Sequence, residues 1–204
     1  RKDSLKPELL GEARDYLRRK YNAEFANGWE TDDVLSSYAY EGYKNKKKIV
    51  QATVDKDAMQ CQGWLFNWNK MESPEYISGL GELQINSKGK VVGNGRKWLY
   101  FQWCNGDPSD GYKPSLLSGN QFGEKGCLKL LENCKTDEDC LVGIRDLYKS
   151  WYPEEFEYKA WNEQTVKSDY KHQMQMYLDC ARMRRWRDDV VVVEDIYDKM
   201  GIPL

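Results

Sequence analysis

The stretch from Val91 to Cys104 reads VVGNGRKWLYFQWC, and the interpretation of the whole chain depends on it. Large apolar side chains crowd its second half at positions that face opposite ways in an extended backbone: Trp98, Leu99, Tyr100, Phe101 and Trp103. A strand that is apolar on both faces must be covered on both faces. The stretch therefore predicts a central strand enclosed by the elements before and after it.

The residues before this stretch predict further strands. Polar and apolar side chains alternate in three segments: 49–54, 60–69 and 80–85. Asn86-Ser87-Lys88-Gly89 has the composition of a hairpin turn, because Gly89 can adopt a positive φ. Gly93-Asn94-Gly95 predicts a bulge or a bend in the returning strand. Residues 49–104 therefore predict a strongly curved antiparallel meander.

Helical patterns stand on both sides of this region. The first predicted helix covers 7–26, with Pro7 at its start, and a second runs from Thr31 to about Tyr40. From Thr136 the apolar spacing is helical, and further helices are predicted after Pro153, after Ser168-Asp169 and after Asp188-Asp189. Val190–Val193 also suits a strand, but Gly201 and Pro203 in stop positions favour a helix.

Strands segregated from helices are typical of the α+β class. We expect a helix-plus-sheet domain over 1–135 and a helical section over 136–204, which packs on that domain or extends to a partner. Residues 105–126 form a long loop with five glycines and two prolines, and loops of this length often carry function. The segment 170–204 resembles one pentatricopeptide-type hairpin in its portions YLDCARMRRW and YDKMGIP. A single such repeat lacks the neighbours it needs, so the resemblance implies no function.

The composition excludes several classes of protein. Charged residues make up 31% of the 204 residues, and no apolar run approaches the roughly 20 residues of a membrane span, so we expect a soluble chain. The net charge of -2 argues against nucleic acid as a partner. His172 is the single histidine, and no cysteine spacing matches a zinc framework, so we expect no metal. The glycine pairs around Leu80 and Asn94 lack the rest of a dinucleotide motif, and we expect no cofactor.

The redox state and the compartment are less constrained. Six cysteines, three of them clustered at 127–140, leave disulfides and free thiols equally open. The chain as printed begins at Arg1 and has neither an apolar signal core in residues 1–30 nor an N-glycosylation sequon. We therefore favour a processed organellar protein over a secreted one.

Three groups of residues are candidate sites. Asp107 and Asp110 on the long loop are a candidate catalytic carboxylate pair; the same loop does not match a calcium loop, since its glycine is one place late and Leu116 stands at the twelfth position. Aromatic residues of the predicted sheet would line a pocket for an apolar ligand: Trp64, Trp68, Trp98, Tyr100 and Trp103. A basic cluster near the C-terminus would bind a partner protein: Arg182, Arg184, Arg185, Trp186 and Arg187.

These groups correspond to three functions. We favour a non-catalytic interaction protein, an accessory or structural subunit of a larger assembly, because Trp, Tyr and Arg are abundant and no active-site motif is evident. The first alternative is a carrier of a small apolar ligand in the curved aromatic sheet. The second alternative is a hydrolase that uses the pair Asp107 and Asp110.

Overall fold

The computed structural model describes residues 6–204, which contain seven α-helices and seven short strands. The helices are α1 (Leu10–Tyr21), α2 (Thr31–Lys44), α3 (Gly95–Asn105), α4 (Glu124–Leu131), α5 (Asp137–Trp151), α6 (Tyr170–Ala181) and α7 (Val193–Met200), with a 3-10 turn at Asp57–Gln60. The strands are β1 (Val50–Ala52), β2 (Gly63–Phe66), β3 (Glu75–Ile77), β4 (Leu83–Ile85), β5 (Val91–Gly93), β6 (Phe156–Lys159) and β7 (Thr165–Ser168). The predicted α+β class is confirmed.

The aromatic stretch is a helix, α3, and the predicted central strand is wrong. Most of α3 is buried, including Trp98, Phe101 and Trp103. A helix that is apolar on all sides must be enclosed by protein, and so must a strand that is apolar on both faces. A short apolar run in the sequence therefore does not distinguish a helix from a strand. Asn94, in an extended conformation, precedes the helix, and Gly106 ends it with φ 75°.

The predicted strongly curved meander over 49–104 is also wrong. The strands form three small sheets, in the orders β1-β2-β3, β4-β5 and β6-β7, and none is strongly curled. β1 pairs with β2 in parallel, with Val50 opposite Trp64, whereas β2 and β3 are antiparallel. The hairpin predicted around Gly89 is present between β4 and β5, where Gly89 has φ 73°.

The C-terminal section contains a hairpin that the helical pattern did not predict. Residues after Pro153 form β6 and β7 in antiparallel register, with Tyr158 opposite Val166, because their side chains alternate with a period of two. Asp169 caps α6 by accepting a 2.7 Å hydrogen bond from the His172 N–H. The last helix begins at Val193, so Val190 precedes it in irregular backbone.

The main core surrounds α3. Trp103 donates its indole N–H to the Met174 carbonyl on α6 at 2.8 Å, and the Tyr148 hydroxyl on α5 donates to the Trp103 carbonyl at 2.7 Å. These bonds satisfy polar groups that would be costly to bury alone. Helix α3 thus fixes the positions of α5 and α6 and of the loop that follows Asn105.

Two general properties follow from the described part of the chain. All six cysteines, at positions 61, 104, 127, 134, 140 and 180, are free thiols, which decides the question that their number left open. Within residues 6–204, no helix combines the length and the apolar character needed to cross a bilayer.

Candidate metal centre

Acidic residues from four separate segments meet at one side of the fold. Glu30 precedes α2, and Asp32 and Asp33 lie in its first turn, where the helix dipole favours negative charge. Asp57 begins the 3-10 turn after β1, and the loop after α3 carries the pair at 107 and 110. The end of α6 contributes a further carboxylate, at 179. The fold therefore collects carboxylates that are far apart in sequence.

Six of these carboxylates line a single cavity of about 290 Å³: Glu30, Asp32, Asp33, Asp57, Asp110 and Asp179. Cys180, Arg182 and Arg184 belong to the same wall. Arg184 donates its backbone N–H to Asp33 at 2.7 Å, while its side-chain Nε lies 3.8 Å from the other Asp33 oxygen. We refer to this cavity as the carboxylate pocket.

Three carboxylates at its edge form a tight group. One oxygen each from Asp57, Asp107 and Asp110 lies within 4.8 Å of the other two. The Asp107 side chain is 2% exposed. It accepts a 2.7 Å hydrogen bond from the Ser109 N–H and forms an ion pair with Lys56 at 2.5 Å. We call these three aspartates the aspartate triad.

The triad is positioned by local structure on both sides. Asp107 and Tyr112 exchange backbone hydrogen bonds of 3.0 and 3.2 Å, which close the loop and bring Asp110 back beside Asp107. Gln102 on α3 donates to the Asp57 carboxylate at 2.5 Å. The 3-10 turn is thereby tied to the helix from which the loop emerges, so the three carboxylates share one rigid support.

Crowding of negative charge shifts the ionisation of these groups. Burial, assisted by Asp55 and Asp107 and opposed by Lys56, raises the pKa of Asp57 to about 6. The carboxylate of Asp32, followed by burial, raises the pKa of Glu30. The pocket therefore holds more negative charge than its own cations neutralise.

Asp107 behaves in the opposite way. Its burial would raise the pKa, but the hydrogen bonds from Lys56 and Ser109 outweigh burial and lower it. Asp107 is therefore ionised at neutral pH, as a metal ligand must be.

Such an arrangement is suited to hard divalent cations. Carboxylate oxygens are the preferred ligands of Mg²⁺, Mn²⁺ and Ca²⁺, and the pocket wall offers no histidine. Two groups of carboxylates, the triad and the set at the start of α2, flank one cavity. The expectation of no metal came from the lack of a zinc pattern and of a calcium loop in the sequence, and neither pattern describes carboxylates that several segments contribute.

The predicted pair Asp107 and Asp110 is brought together, and the structure adds partners that the sequence interpretation missed. The missed signal is a series of short acidic motifs at the ends of elements: Glu30-x-Asp32-Asp33, Asp55-x-Asp57 and Asp107-x-x-Asp110. Each motif by itself is an ordinary cap or turn. Their common position became visible only once the fold was known.

The five aromatic residues predicted to line one pocket lie in different places. Trp98 stacks on Phe101 beside one groove, and Tyr100 and Trp103 line another cavity. Trp64 packs on Tyr76 in the first sheet with ring centroids 5.3 Å apart, and Trp68 is 56% exposed. The set does not form a common wall.

The predicted arginine cluster is largely engaged within the protein. Arg182 and Arg185 both bind the buried carboxylate of Asp189, at 2.6 and 2.9 Å. Arg187 donates to the Asn27 carbonyl at 3.4 Å, and Arg184 contacts Asp33 as described. Trp186 remains 46% exposed, and its ring lies beside that of Tyr40.

Comparisons with known proteins do not identify a relative. The chain matches no protein-family model, no curated protein and no solved structure. The assignment of a function therefore depends on the geometry and the charge of the sites described above.

Proposed function

We propose that this protein is a divalent-metal-dependent hydrolase of phosphate esters, with the carboxylate pocket as its active site. The observation that carries the proposal is the aspartate triad, whose three oxygens lie within 4.8 Å of one another at the wall of a pocket with six carboxylates. The triad would hold one cation, and the carboxylates at the start of α2 would hold a second. Asp107 and Asp110, the pair suggested by the sequence, thereby become metal ligands.

The negative charge of the carboxylate pocket favours metal-dependent hydrolysis over hydrolysis by two carboxylates alone. A hydrolase that works with two carboxylates alone needs one acid and one base, and a surplus of ionised carboxylates would repel an anionic substrate. Bound divalent cations reverse this repulsion, lower the pKa of a coordinated water and neutralise the leaving oxygen. Phosphate esters are among the substrates whose hydrolysis such cations assist.

The surroundings of the pocket favour a phosphodiester strand as the substrate. Trp29 lines both the carboxylate pocket and an adjoining groove of about 600 Å³ that also contains Lys44, Arg185, Trp186 and Arg187. Basic side chains that bind phosphates, interleaved with rings on which bases stack, are typical of single-strand binding. We therefore propose a nucleic-acid strand as the substrate class. Glu24 and Glu41 also line this groove, so its three basic side chains exceed its acidic ones by one, whereas the whole chain has a net charge of -2.

The residues of the chain would divide the work as follows. Lys56 keeps Asp107 ionised and in place through its 2.5 Å ion pair. Gln102 orients Asp57, and the bridge between Asp107 and Tyr112 holds Asp110 next to them. These contacts pre-organise the oxygen ligands before a cation binds.

The test is cleavage of a fluorescently labelled single-stranded oligonucleotide and of bis(p-nitrophenyl) phosphate in Mn²⁺ or Mg²⁺, with EDTA as the metal-free reference. Asp110→Asn should lower the cleavage rate by at least about 100-fold, because it removes a ligand charge while keeping the shape of the side chain. Asp198→Asn, an exposed aspartate on α7, is the matched control and should leave the rate unchanged.

Mn²⁺ binding, followed by electron paramagnetic resonance, separates the site from its activity. Wild-type protein should bind Mn²⁺, and Asp110→Asn should bind it more weakly. The proposal fails if wild-type protein and Asp110→Asn bind Mn²⁺ equally, or if neither ester is cleaved faster with metal than with EDTA.

A second candidate is the accessory subunit favoured by the sequence, and one observation supports it. Helix α1 has no buried residue, and it exposes the apolar side chains of Leu17 and Tyr21. An apolar helix face of this kind is typical of a protein interface. Native mass spectrometry of protein purified from its source should show bound protein components, and Leu17→Glu should release them. An unchanged mass on denaturation would exclude this function.

A further inference from the structure

A second cavity, of about 340 Å³, differs in charge from the carboxylate pocket. Four cationic side chains line it: Arg96, Arg182, Arg185 and Lys199. Among the described residues, no aspartate or glutamate lines it. We refer to this space as the basic cavity. A cavity with cations and no anions attracts a negatively charged ligand.

Nearby carboxylates neutralise only part of this charge. Arg96 binds Asp137 through two 2.7 Å contacts, and Arg182 and Arg185 share the single carboxylate of Asp189. Lys199 forms no ion pair with any residue of the described chain. Four cations thus face two carboxylates, which leaves two positive charges at the cavity.

One donor at this cavity has no partner. The Nε of Arg182 is buried and donates no hydrogen bond within residues 6–204, although the rest of the guanidinium is bonded to Asp189. A buried donor without an acceptor is destabilising. Ser36 and Gln62 add further polar groups to the lining.

Most of the remaining wall is apolar, and it includes three aromatic side chains, those of Tyr40, Tyr100 and Trp103. A ligand that fills the cavity therefore needs a ring or an aliphatic body in addition to its anionic group. The volume matches a small molecule and is too small for a polymer.

We propose that the basic cavity binds a small aromatic phosphate monoester, such as an aryl or nucleoside monophosphate. A phosphate monoester carries about 1.5 to 2 negative charges at neutral pH, which matches the two uncompensated cations better than a carboxylate does. Guanidinium groups bind phosphate oxygens in pairs, and Lys199 adds a point charge. The aromatic wall receives the ring.

This site is distinct from the proposed metal centre and does not depend on it. Arg182 and Met183 line both cavities, so they form the partition between them. Binding in the basic cavity is therefore expected in the absence of any divalent cation, whereas binding at the carboxylate pocket is not.

The test is isothermal titration calorimetry of the full chain with phenyl phosphate in EDTA. Phenyl phosphate should bind more tightly than inorganic phosphate, which lacks the ring, and phenol, which lacks the charge, should not bind. Lys199→Gln should weaken phenyl phosphate binding about tenfold, since it removes one exposed charge that contacts the phosphate. Lys129→Gln, an exposed lysine on α4 outside the cavity, is the matched control and should bind like wild type.

Nuclear magnetic resonance locates the ligand. Phenyl phosphate should shift the backbone signals of Tyr40, Gln62 and Ile196 more than those of Glu30 and Asp110 in the carboxylate pocket. Equal affinities of wild-type protein and Lys199→Gln, or shifts confined to residues outside the basic cavity, would overturn the proposal.

Discussion

The ammonium group of Lys56 lies 2.5 Å from Oδ2 of Asp107, and this is the ion pair through which the chain compensates the aspartate triad. This ion pair explains why the pKa values of Asp107 and Asp57 are shifted in opposite directions. Lys56 and Ser109 lower the pKa of Asp107 despite its burial, whereas burial and the neighbouring Asp55 raise the pKa of Asp57 to about 6. The energetic consequences of this asymmetry can be measured.

Asp57→Asn should stabilise the metal-free protein at neutral pH. The folded state holds the Asp57 proton up to a pKa of about 6, against 3.8 as the ordinary value, so ionisation between these limits costs stability. The gain of the variant in free energy of unfolding should be near zero below pH 4. It should reach about 1 kcal/mol at pH 7, after allowance for solvent screening of this partly exposed group. Urea unfolding of both proteins across this pH range measures the difference.

Saturating Mg²⁺ provides the control for this experiment. If the triad binds the cation, Mg²⁺ should stabilise the wild-type protein and cancel the advantage of Asp57→Asn. A gain that is larger at pH 4 than at pH 7 would contradict the assigned direction of the pKa shift.

Asp189→Ala should destabilise the fold by about 3–5 kcal/mol, because it leaves the buried Arg182 without its counter-charge. Burial would raise the pKa of Asp189, but the hydrogen bonds from Arg185 and Arg182 lower it to about 2. The wild-type contribution is therefore fully present above about pH 4 and is lost as the pH falls through about 2. Thermal unfolding at pH 7 tests the magnitude.

Asp188→Ala is the control for the Asp189 variant. Asp188 is exposed and its side chain forms no bond within the described residues, so its removal should change stability by less than about 0.5 kcal/mol. Similar losses for both variants would show that the contacts of Arg182 and Arg185 with Asp189 are not what holds the segment after α6.

Gly81→Ala should cost considerably more stability than Gly89→Ala. Both glycines have positive φ angles, 74° and 73°, so both variants carry the same backbone strain. A Cβ at Gly81 would lie 2.0 Å from the Asn94 carbonyl oxygen, whereas at Gly89 it would meet no atom within 4 Å. The clash should add at least about 2 kcal/mol to the cost at Gly81. Equal midpoints in urea for the two variants would refute this close approach of the hairpin to the start of α3.

Thiol labelling should distinguish the cysteines by burial. In the native protein, iodoacetamide should modify the exposed Cys180 first and leave Cys104, Cys127 and Cys140 unmodified. Burial raises the pKa of Cys127 to about 12, so its reactive thiolate is scarce at neutral pH. Denaturation without a reductant should release six reactive thiols. A lower number that rises after reduction would show that a disulfide forms.

Features encoded within a few neighbouring residues could be predicted from the sequence. The helix predicted after Thr136 is present and begins with a capping box of Thr136 and Asp139, and Gly89 occupies the turn of the predicted hairpin with a positive φ. Such signals depend on hydrogen bonds and sterics over three or four residues, so the remainder of the fold does not alter them. The α+β class follows from the same local patterns.

The identity of the central element could not be predicted in this way. The run from Trp98 to Trp103 satisfies a strand covered on two faces and equally a helix enclosed on all sides, and only packing against α5 and α6 decides for the helix. The opposite error occurred at β6 and β7, where a helix was predicted and a hairpin is present. The alternation of polar and apolar side chains there is short, and helical patterns stand on both sides of it. Tertiary contacts overrode an ambiguous local signal in both places.

The same distinction between local and tertiary information applies to the candidate site. The residues that carry the charge can be identified from the sequence alone, including the pair Asp107 and Asp110 on the loop after the aromatic stretch. Only the tertiary structure determined that Asp57 joins them within 4.8 Å and that the start of α2 faces the same pocket. The physical reason is that each acidic motif is stable alone as a cap or turn, whereas the crowding that favours a cation exists only when α2, the 3-10 turn and the loop are packed together.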